Sequence, residues 1–298
     1  MWRWIVCGVG LLGCTAPSLQ VVSEPLAGGG AGIAGTPGPF GVGRTSWRGQ
    51  VRVTESSIFE VHVPVLADGE LADGPFPAVL FVHGGLVGPG RYRWWAEHVA
   101  SRGYVVVTAT HPSDLAIFAQ GTSGEALDAV RNASQNENHP LFGAVDPRAP
   151  AAVTGHSLGG VVAARAFVEN PQDFSTLGII ASFPAGWDDL SERAGDPVLS
   201  IVGANDGSAD LQRVRDAILA QPDPRLYAVV DGFNHYDWAD DVSAEELAKD
   251  GERARPVAEA RTDAMRVMDT WLDGWMTADA EAQDRWFNSS FSGVEVTR

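Results

Sequence analysis

The chain has 298 residues, of which 45% are hydrophobic and 20% charged, a composition typical of a globular protein and not of a disordered one. Its length allows one large α/β domain or two small domains. The formal net charge of -17 would repel a phosphate backbone, so we expect no nucleic-acid partner and interpret the acidity as a source of solubility.

The first residues have the pattern of an export signal. MWRWIVCGVGLLGC contains one Arg and then an apolar run from Ile5 to Leu12, which is too short to span a bilayer. The stretch from Leu11 to Cys14 resembles a bacterial lipobox, in which the Cys is acylated and begins the mature protein. This predicts a signal peptide over residues 1–13 and a membrane anchor on Cys14, facing the periplasm or the cell exterior. A plain secretory signal that releases a soluble protein is the alternative.

Residues 14–43 are rich in Gly, Ala and Pro and keep no helical or strand period. This composition predicts a flexible linker between the membrane and a single domain over residues 44–298. The only two cysteines are Cys7 and Cys14, so the mature domain would contain no disulfide and would depend on its core for stability.

Apolar segments alternate with helical patterns along the domain. Eight segments predict strands: VRV (51–53), FEVHVPV (59–65), AVLFVH (78–83), YVVVTAT (104–110), AAVTG (151–155), LGIIAS (177–182), VLSIVG (198–203) and LYAVVDG (226–232). Helices are predicted in RWWAEHVAS, SGEALDAVRNA, LGGVVAARAFVE, DLQRVRDAILA and PVAEARTDAMRVMDTWLDGWM. The order predicts an α/β fold with a mostly parallel sheet of about eight strands flanked by helices. No long insertion follows LGIIAS, so we expect little or no cap domain and an open cleft.

A G-x-S-x-G match, Gly155 to Gly159, lies between a predicted strand and a predicted helix. That setting is the one that a nucleophile elbow requires, because the turn holds its Ser in an unfavourable backbone geometry between small neighbours. Ser157 is therefore the predicted nucleophile.

A Ser hydroxyl needs a base and an orienting acid, which follow it in the order Ser, acid, His in this type of fold. Of the seven His residues, only His235 lies after Ser157, and it follows the last predicted strand. Asp206 follows the strand VLSIVG and is the predicted acid. The rivals are Asp210, which has the position of a helix N-cap, and the pair Asp188 and Asp189.

The oxyanion of an acyl-transfer transition state needs backbone donors. We expect one from the N–H of Leu158, directly after the nucleophile, and one from the loop after AVLFVH. Gly85 is the predicted second donor and Leu86 the alternative, whereas His83 is expected to be structural.

The sequence resembles the α/β-hydrolases of the cutinase-like polyester hydrolase and dienelactone hydrolase group. The resemblance runs from about Gly38 to Trp238 and rests on GPFGVGRTSW, YRWWAEHVASRGYVVVTA, HPLFGAVDPRAPAAVTGHSLGG, GANDG and GFNHYDW. It implies an α/β-hydrolase catalytic domain over residues 44–298 with Ser157, Asp206 and His235 as its triad. It also implies an aromatic substrate subsite at Trp187, and Leu86 and Tyr236 are further subsite candidates.

The chain departs from the polyester hydrolases at three points. They usually have an aromatic residue where this chain has Gly85, a Met where it has Leu158, and in many cases a C-terminal disulfide. Polyester as the substrate therefore does not follow from the resemblance.

The predicted activity is cleavage of carboxylic esters through an acyl-enzyme, by a monomer that needs no cofactor or metal. Calcium at the acidic loop with Asp237, Asp240 and Asp241 is not expected. Thioesterase, amidase or acyltransferase activity would use the same triad. An alternative of another class is a lipid-anchored binding protein on a non-catalytic hydrolase fold.

Overall fold

A computed structural model of the chain describes residues 17–25, 33–52, 55–85, 87–110 and 122–298. Within these residues, ten strands form one sheet: β1 (Gln20–Ser23), β2 (Gly41–Arg52), β3 (Glu55–Val65), β4 (Ala78–Val82), β5 (Val105–Ala109), β6 (Ala151–His156), β7 (Phe174–Ile180), β8 (Val198–Gly203), β9 (Arg225–Val230) and β10 (Val294–Thr297). The α-helices in these residues are α1 (Arg93–Ser101), α2 (Thr122–Ser134), α3 (Leu158–Glu169), α4 (Leu211–Leu219), α5 (Ala244–Leu247), α6 (Val257–Met276) and α7 (Ala280–Asn288). The predicted signal peptide, Cys14 and Leu86 lie outside the described residues.

The strand order is β1-β2-β3-β5-β4-β6-β7-β8-β9-β10. The six strands from β5 to β9 pair in parallel, whereas β1, β2 and β3 at one edge and β10 at the other edge are antiparallel. The mostly parallel, helix-flanked sheet that the sequence predicts is therefore confirmed. Seven of the eight predicted strands coincide with β3 to β9, whereas VRV (51–53) overlaps only the last two residues of β2. The strands β1 and β10 extend the sheet further at its two edges.

Both faces of the central strands are covered, which explains their continuous apolar sequences. In β4, for example, Leu80 packs in a core with residues of α2, α3 and α4, whereas its neighbour Phe81 packs on the opposite face with residues of α1 and α6. Successive side chains of a strand point to opposite faces, so burying both faces requires an apolar residue at every position. The central sheet is thus packed between two layers of helices, and the loops at its carboxyl edge extend from buried strands.

The prediction of a flexible linker over residues 14–43 is wrong for its described part. Residues 20–23 form β1, which pairs with β2, and the chain then packs on the helices: the Gly35 N–H donates to Asp269 Oδ2 at 2.6 Å and the Gly38 N–H to Ser101 Oγ at 2.9 Å. A Cβ on Gly38 would lie 2.2 Å from the Ser101 carbonyl oxygen, so the glycine permits a close backbone approach here instead of providing flexibility.

The connection from β7 to β8, residues 181–197, contains a single 3-10 turn over Leu190–Arg193 and no inserted cap. Among the helices of the described ranges, none combines the length and the apolar character that crossing a bilayer requires. At the carboxyl edge of the sheet, residues 204–210 connect β8 to α4, whereas the segment after β9 passes through a 3-10 turn and α5 before α6 begins at Val257.

Candidate active site

Ser157 lies in a sharp turn between β6 and α3. Its backbone has φ 55° and ψ −125°, a conformation that strains any residue with a side chain, and its N–H donates to the Ile180 carbonyl of the neighbouring strand at 2.9 Å. A Cβ on Gly155 would lie 2.1 Å from the Gly159 oxygen, and a Cβ on Gly159 would lie 2.2 Å from the Val82 oxygen. The two glycines of the motif are therefore required by contact with backbone, and the turn has the predicted strand–turn–helix setting.

Asp206 and His235 meet at the same edge of the sheet, on the loops that follow β8 and β9. His235 Nδ1 lies 2.9 Å from Asp206 Oδ2 and 3.1 Å from Oδ1, and the two side chains are 8% and 0% exposed. Asp206 Oδ1 also accepts the backbone N–H groups of Ser208 at 2.9 Å and Ala209 at 2.7 Å. Because a carboxylate only accepts hydrogen bonds, Nδ1 carries the proton and Nε2 keeps its lone pair.

The rival acids have other partners. Asp210 caps α4 by accepting the Arg213 N–H, as its position in the sequence predicts. Asp188 pairs with Arg165 at 2.9 Å, and Asp189 accepts the Ser191 N–H at the start of a 3-10 turn. Of the predicted acids, the structure brings Asp206 to His235.

His156 joins the Ser157 turn to the His235 loop. Its ring centroid is 4.7 Å from that of His235, and its Nε2 lies 3.1 Å from the His235 carbonyl oxygen. Burial holds the pKa of His156 well below its ordinary value of 6.5. A neutral imidazole therefore separates the turn from the base, and the loop that carries His235 packs directly on the residue before Ser157.

The loop after β4 packs on the start of α3. A Cβ on Gly85 would lie 3.2 Å from Leu158 Cδ2, so the residues that carry the two predicted oxyanion donors are neighbours in space. A Cβ on Gly84 would lie 2.8 Å from the Tyr92 hydroxyl and 3.2 Å from His156 Nδ1. The glycines of this loop thus let its backbone approach the turn closely.

The subsite candidates differ in position. The Tyr236 ring makes an edge contact with the His235 ring at 5.6 Å between centroids. Trp187 is 75% exposed, and its ring lies 5.6 Å from the guanidinium carbon of Arg165 on α3. Tyr236 is therefore beside the candidate base, whereas the contact that the structure gives Trp187 is to a residue two helical turns beyond Ser157.

Sequence reasoning missed Asp250, which joins the acid loop to the His loop. Its Oδ1 accepts the N–H groups of Gly207 at 2.7 Å and Gly251 at 2.8 Å, and its Oδ2 accepts the N–H of Tyr236 at 2.9 Å. The carboxylate bridges the segments that carry Asp206 and His235 through backbone groups alone. The sequence offers little signal for it beyond an Asp-Gly pair in a loop.

The acidic loop after His235 is held by arginines. Asp237 pairs with Arg253 at 2.5 Å and Asp240 with Arg261 at 3.3 Å. In the part of the chain that the structure describes, no group of three or more His, Cys, Asp or Glu side chains is arranged to hold a metal ion.

Comparison with known proteins agrees with this architecture. A family model described as "Alpha/beta hydrolase family" matches residues 78–241, from β4 to beyond the His235 loop, which is more than half of the 298 residues. The curated protein Phospholipase YtpA of Bacillus subtilis (strain 168) is 31% identical over 116 residues, 38% of this chain and 42% of the relative. The chain thus spans less than half of that relative's length. The strained Ser turn, the Asp–His pair and the family match together lead to one conclusion: the chain belongs to the alpha/beta hydrolase family.

Proposed function

We propose that the protein is a serine esterase that cleaves carboxylic esters through an acyl-enzyme. The observation that carries the proposal is the buried Asp206–His235 pair, in which His235 packs on His156, the residue directly before the strained Ser157. An orienting carboxylate, an imidazole with a free Nε2 and a Ser held in a tight turn form the arrangement that activates a hydroxyl group.

The reaction would proceed in two halves. Ser157 Oγ attacks the ester carbonyl carbon, its proton passes to His235 Nε2, and the electron pair of the C=O bond moves to the oxygen. The N–H groups of Gly85 and Leu158 stabilise this oxyanion, each by on the order of 3 kcal/mol. Collapse expels the alcohol with the proton from His235. Water then attacks the acyl-enzyme, again with His235 as the base, and releases the acid and Ser157.

Three observations support esters as the substrate class. The sequence motifs resemble cutinase-like polyester hydrolases and dienelactone hydrolases, the family model describes hydrolases, and the relative is named a phospholipase. Tyr236 beside His235 is the proposed contact for the substrate. Leu86 and Trp187 remain proposed subsite residues. The same triad would also serve thioesters, amides or acyl transfer.

The test pairs a covalent probe with a substrate panel. A fluorophosphonate should label the wild type and Ser175→Ala, and fail to label Ser157→Ala; Ser175 is the matched control because it lies at the opposite end of the neighbouring strand β7. Nitrophenyl esters of increasing chain length, a thioester, an anilide and a phospholipid then define the acyl group and the bond. Lack of labelling in folded wild type would favour a non-catalytic binding protein, and equal rates in wild type and Ser157→Ala would refute the mechanism.

We further propose that the protein is an exported monomer with a lipid on Cys14. The lipobox-like stretch before Cys14 supports the anchor. Wild type expressed in a bacterium should partition into detergent and Cys14→Ala into the aqueous phase. Aqueous partition of both would support a secreted soluble protein instead.

A further inference from the structure

A chain of hydrogen bonds runs from the loop after β4 to the backbone of His235. The Gly84 N–H donates to the Tyr92 hydroxyl oxygen at 3.1 Å, the hydroxyl lies 2.9 Å from His156 Nδ1, and His156 Nε2 lies 3.1 Å from the His235 carbonyl oxygen. Tyr92 and His156 are each 1% exposed. The hydrogen-bond chain is therefore closed to solvent, and among the residues that the structure describes its atoms are bonded to one another.

The direction of every bond in the chain is determined. A carbonyl oxygen only accepts, so His156 Nε2 carries the proton, and in a neutral imidazole Nδ1 is then an acceptor. The Tyr92 hydroxyl donates to Nδ1, which leaves its oxygen to accept the Gly84 N–H. Burial lowers the pKa of His156 and raises the pKa of Tyr92, so both side chains are neutral near pH 7.

The hydrogen-bond chain contacts three parts of the proposed active site. Gly84 precedes the proposed oxyanion donor Gly85, His156 precedes Ser157, and the last acceptor is the main chain of His235. The His156 ring also packs on the His235 ring, at 4.7 Å between centroids. A displacement at any member of the chain would therefore move the loop with the donor or the loop with the base relative to the turn.

We propose that Tyr92 and His156 are positioning residues, which hold the oxyanion loop and the backbone of His235 in a single geometry around Ser157. The inference rests on the proposed esterase function, because it assigns these residues to the transition state of that reaction. Neither residue touches the reacting atoms. They act by fixing groups that do, and preorganised groups of this kind matter most when charge develops in the transition state.

Tyr92→Phe tests the proposal, because it removes one oxygen atom and leaves the Gly84 N–H and His156 Nδ1 without a partner. We expect kcat for a short nitrophenyl ester to fall about tenfold with KM nearly unchanged, because the lost geometry stabilises the transition state and not the bound substrate. Tyr104→Phe is the matched control, because Tyr104 is equally buried and its hydroxyl donates to Asp273 Oδ1 at 2.7 Å. Tyr104 directly precedes β5 and so lies at the amino ends of the parallel strands, away from the Ser157 turn. The kcat of Tyr104→Phe should stay at the wild-type value.

Nitrogen NMR of His156 gives a readout that does not depend on activity. The proton should be on Nε2 in wild type, in Ser157→Ala and after Tyr92→Phe is added, because the His235 carbonyl still accepts it, whereas the Nδ1 resonance should shift in Tyr92→Phe because Nδ1 loses its hydrogen-bond donor. Measured in the Ser157→Ala background, this result holds or fails separately from the esterase mechanism. Activity that survives Ser157→Ala would refute the proposed function, whereas an unchanged His156 Nδ1 resonance in Tyr92→Phe would refute the hydrogen-bond chain.

His156→Phe keeps a ring in place and removes both of its hydrogen bonds, so it tests the chain if Tyr92→Phe fails to fold. We expect a loss of kcat at least as large, and we expect the double variant to be no slower than His156→Phe alone, because both changes break one unit. Losses that multiply, wild-type kcat in either variant, or an equal loss in Tyr104→Phe would overturn the proposal.

Discussion

Asp206→Asn should fix His235 in the wrong tautomer. Asp206 Oδ1 accepts two backbone N–H groups, from Ser208 and Ala209, whereas Oδ2 faces His235 Nδ1 at 2.9 Å. The Asn amide must therefore place its oxygen at the Oδ1 position, and its NH₂ then points at His235. An NH₂ group can only donate there, so Nδ1 must give up its proton and Nε2 must carry it.

The expected magnitude follows from this change of role. With a proton on Nε2, His235 cannot accept the proton of Ser157, and a loss on the order of 10⁴-fold in kcat is expected for a base held in the wrong tautomer. That loss corresponds to about 5.4 kcal/mol of transition-state free energy. The backbone bonds of the loop are retained, so the fold should be intact.

The assay is steady-state hydrolysis of a short nitrophenyl ester, with nitrogen NMR to assign the tautomer of His235. Asp210→Asn is the matched control: Asn is as good an N-cap as Asp, and Asp210 caps α4 on the same loop. A folded Asp206→Asn enzyme within tenfold of wild type, or one whose Nδ1 still carries the proton, would refute the reasoning.

Three further changes have definite expectations. Asp250→Asn keeps an acceptor for Gly207 and Gly251 but turns its NH₂ toward the Tyr236 N–H, so kcat for ester hydrolysis should fall roughly tenfold. Glu252→Gln, at the exposed neighbouring residue, is the control and should keep the wild-type kcat. A wild-type kcat in Asp250→Asn would show that Asp250 does not position the two loops. Gly159→Ala would set a Cβ 2.2 Å from a backbone oxygen and should destabilise the fold by about 1–3 kcal/mol in urea unfolding, whereas Gly124→Ala, with open space around its Cβ, should not. Burial, with two nearby arginines, lowers the pKa of His62 to about 3 from 6.5, so the unfolded chain binds the extra proton and stability falls as pH drops below 6.5. Between pH 7 and pH 5, the free energy of unfolding of His62→Leu should therefore fall by about 2 kcal/mol less than that of wild type, as measured by urea unfolding. An equal fall in the two proteins would contradict this.

The sequence predicts the fold correctly where apolar strand segments alternate regularly with helical segments. Continuous apolar runs can be satisfied only between two layers of helices, and the predicted helix LGGVVAARAFVE coincides with α3 (Leu158–Glu169). The meeting of Asp206 and His235 follows from the same rule, since loops after neighbouring parallel strands leave the sheet at the same edge.

Other features depend on contacts that no local pattern encodes. Residues 20–23 lie in a stretch that keeps no strand period, and they become β1 because β2 offers an unpaired edge. Asp250 acts through backbone amides of two other segments, and Tyr92 reaches His156 across 64 residues of chain. The prediction of a subsite at Trp187 rests on resemblance alone, because no pattern in the residues around it indicates a role.

The φ of 55° at Ser157 also bears on how the protein could evolve. A glycine would adopt that conformation without strain, so Ser157→Gly should raise the free energy of unfolding by about 1 kcal/mol while removing the proposed nucleophile. Selection for robustness alone would then discard the hydroxyl. Retention of the hydroxyl therefore leaves the protein less stable than its fold permits. Directed evolution for heat resistance without a screen for catalysis would favour Ser157→Gly, which is more stable and lacks the proposed nucleophile.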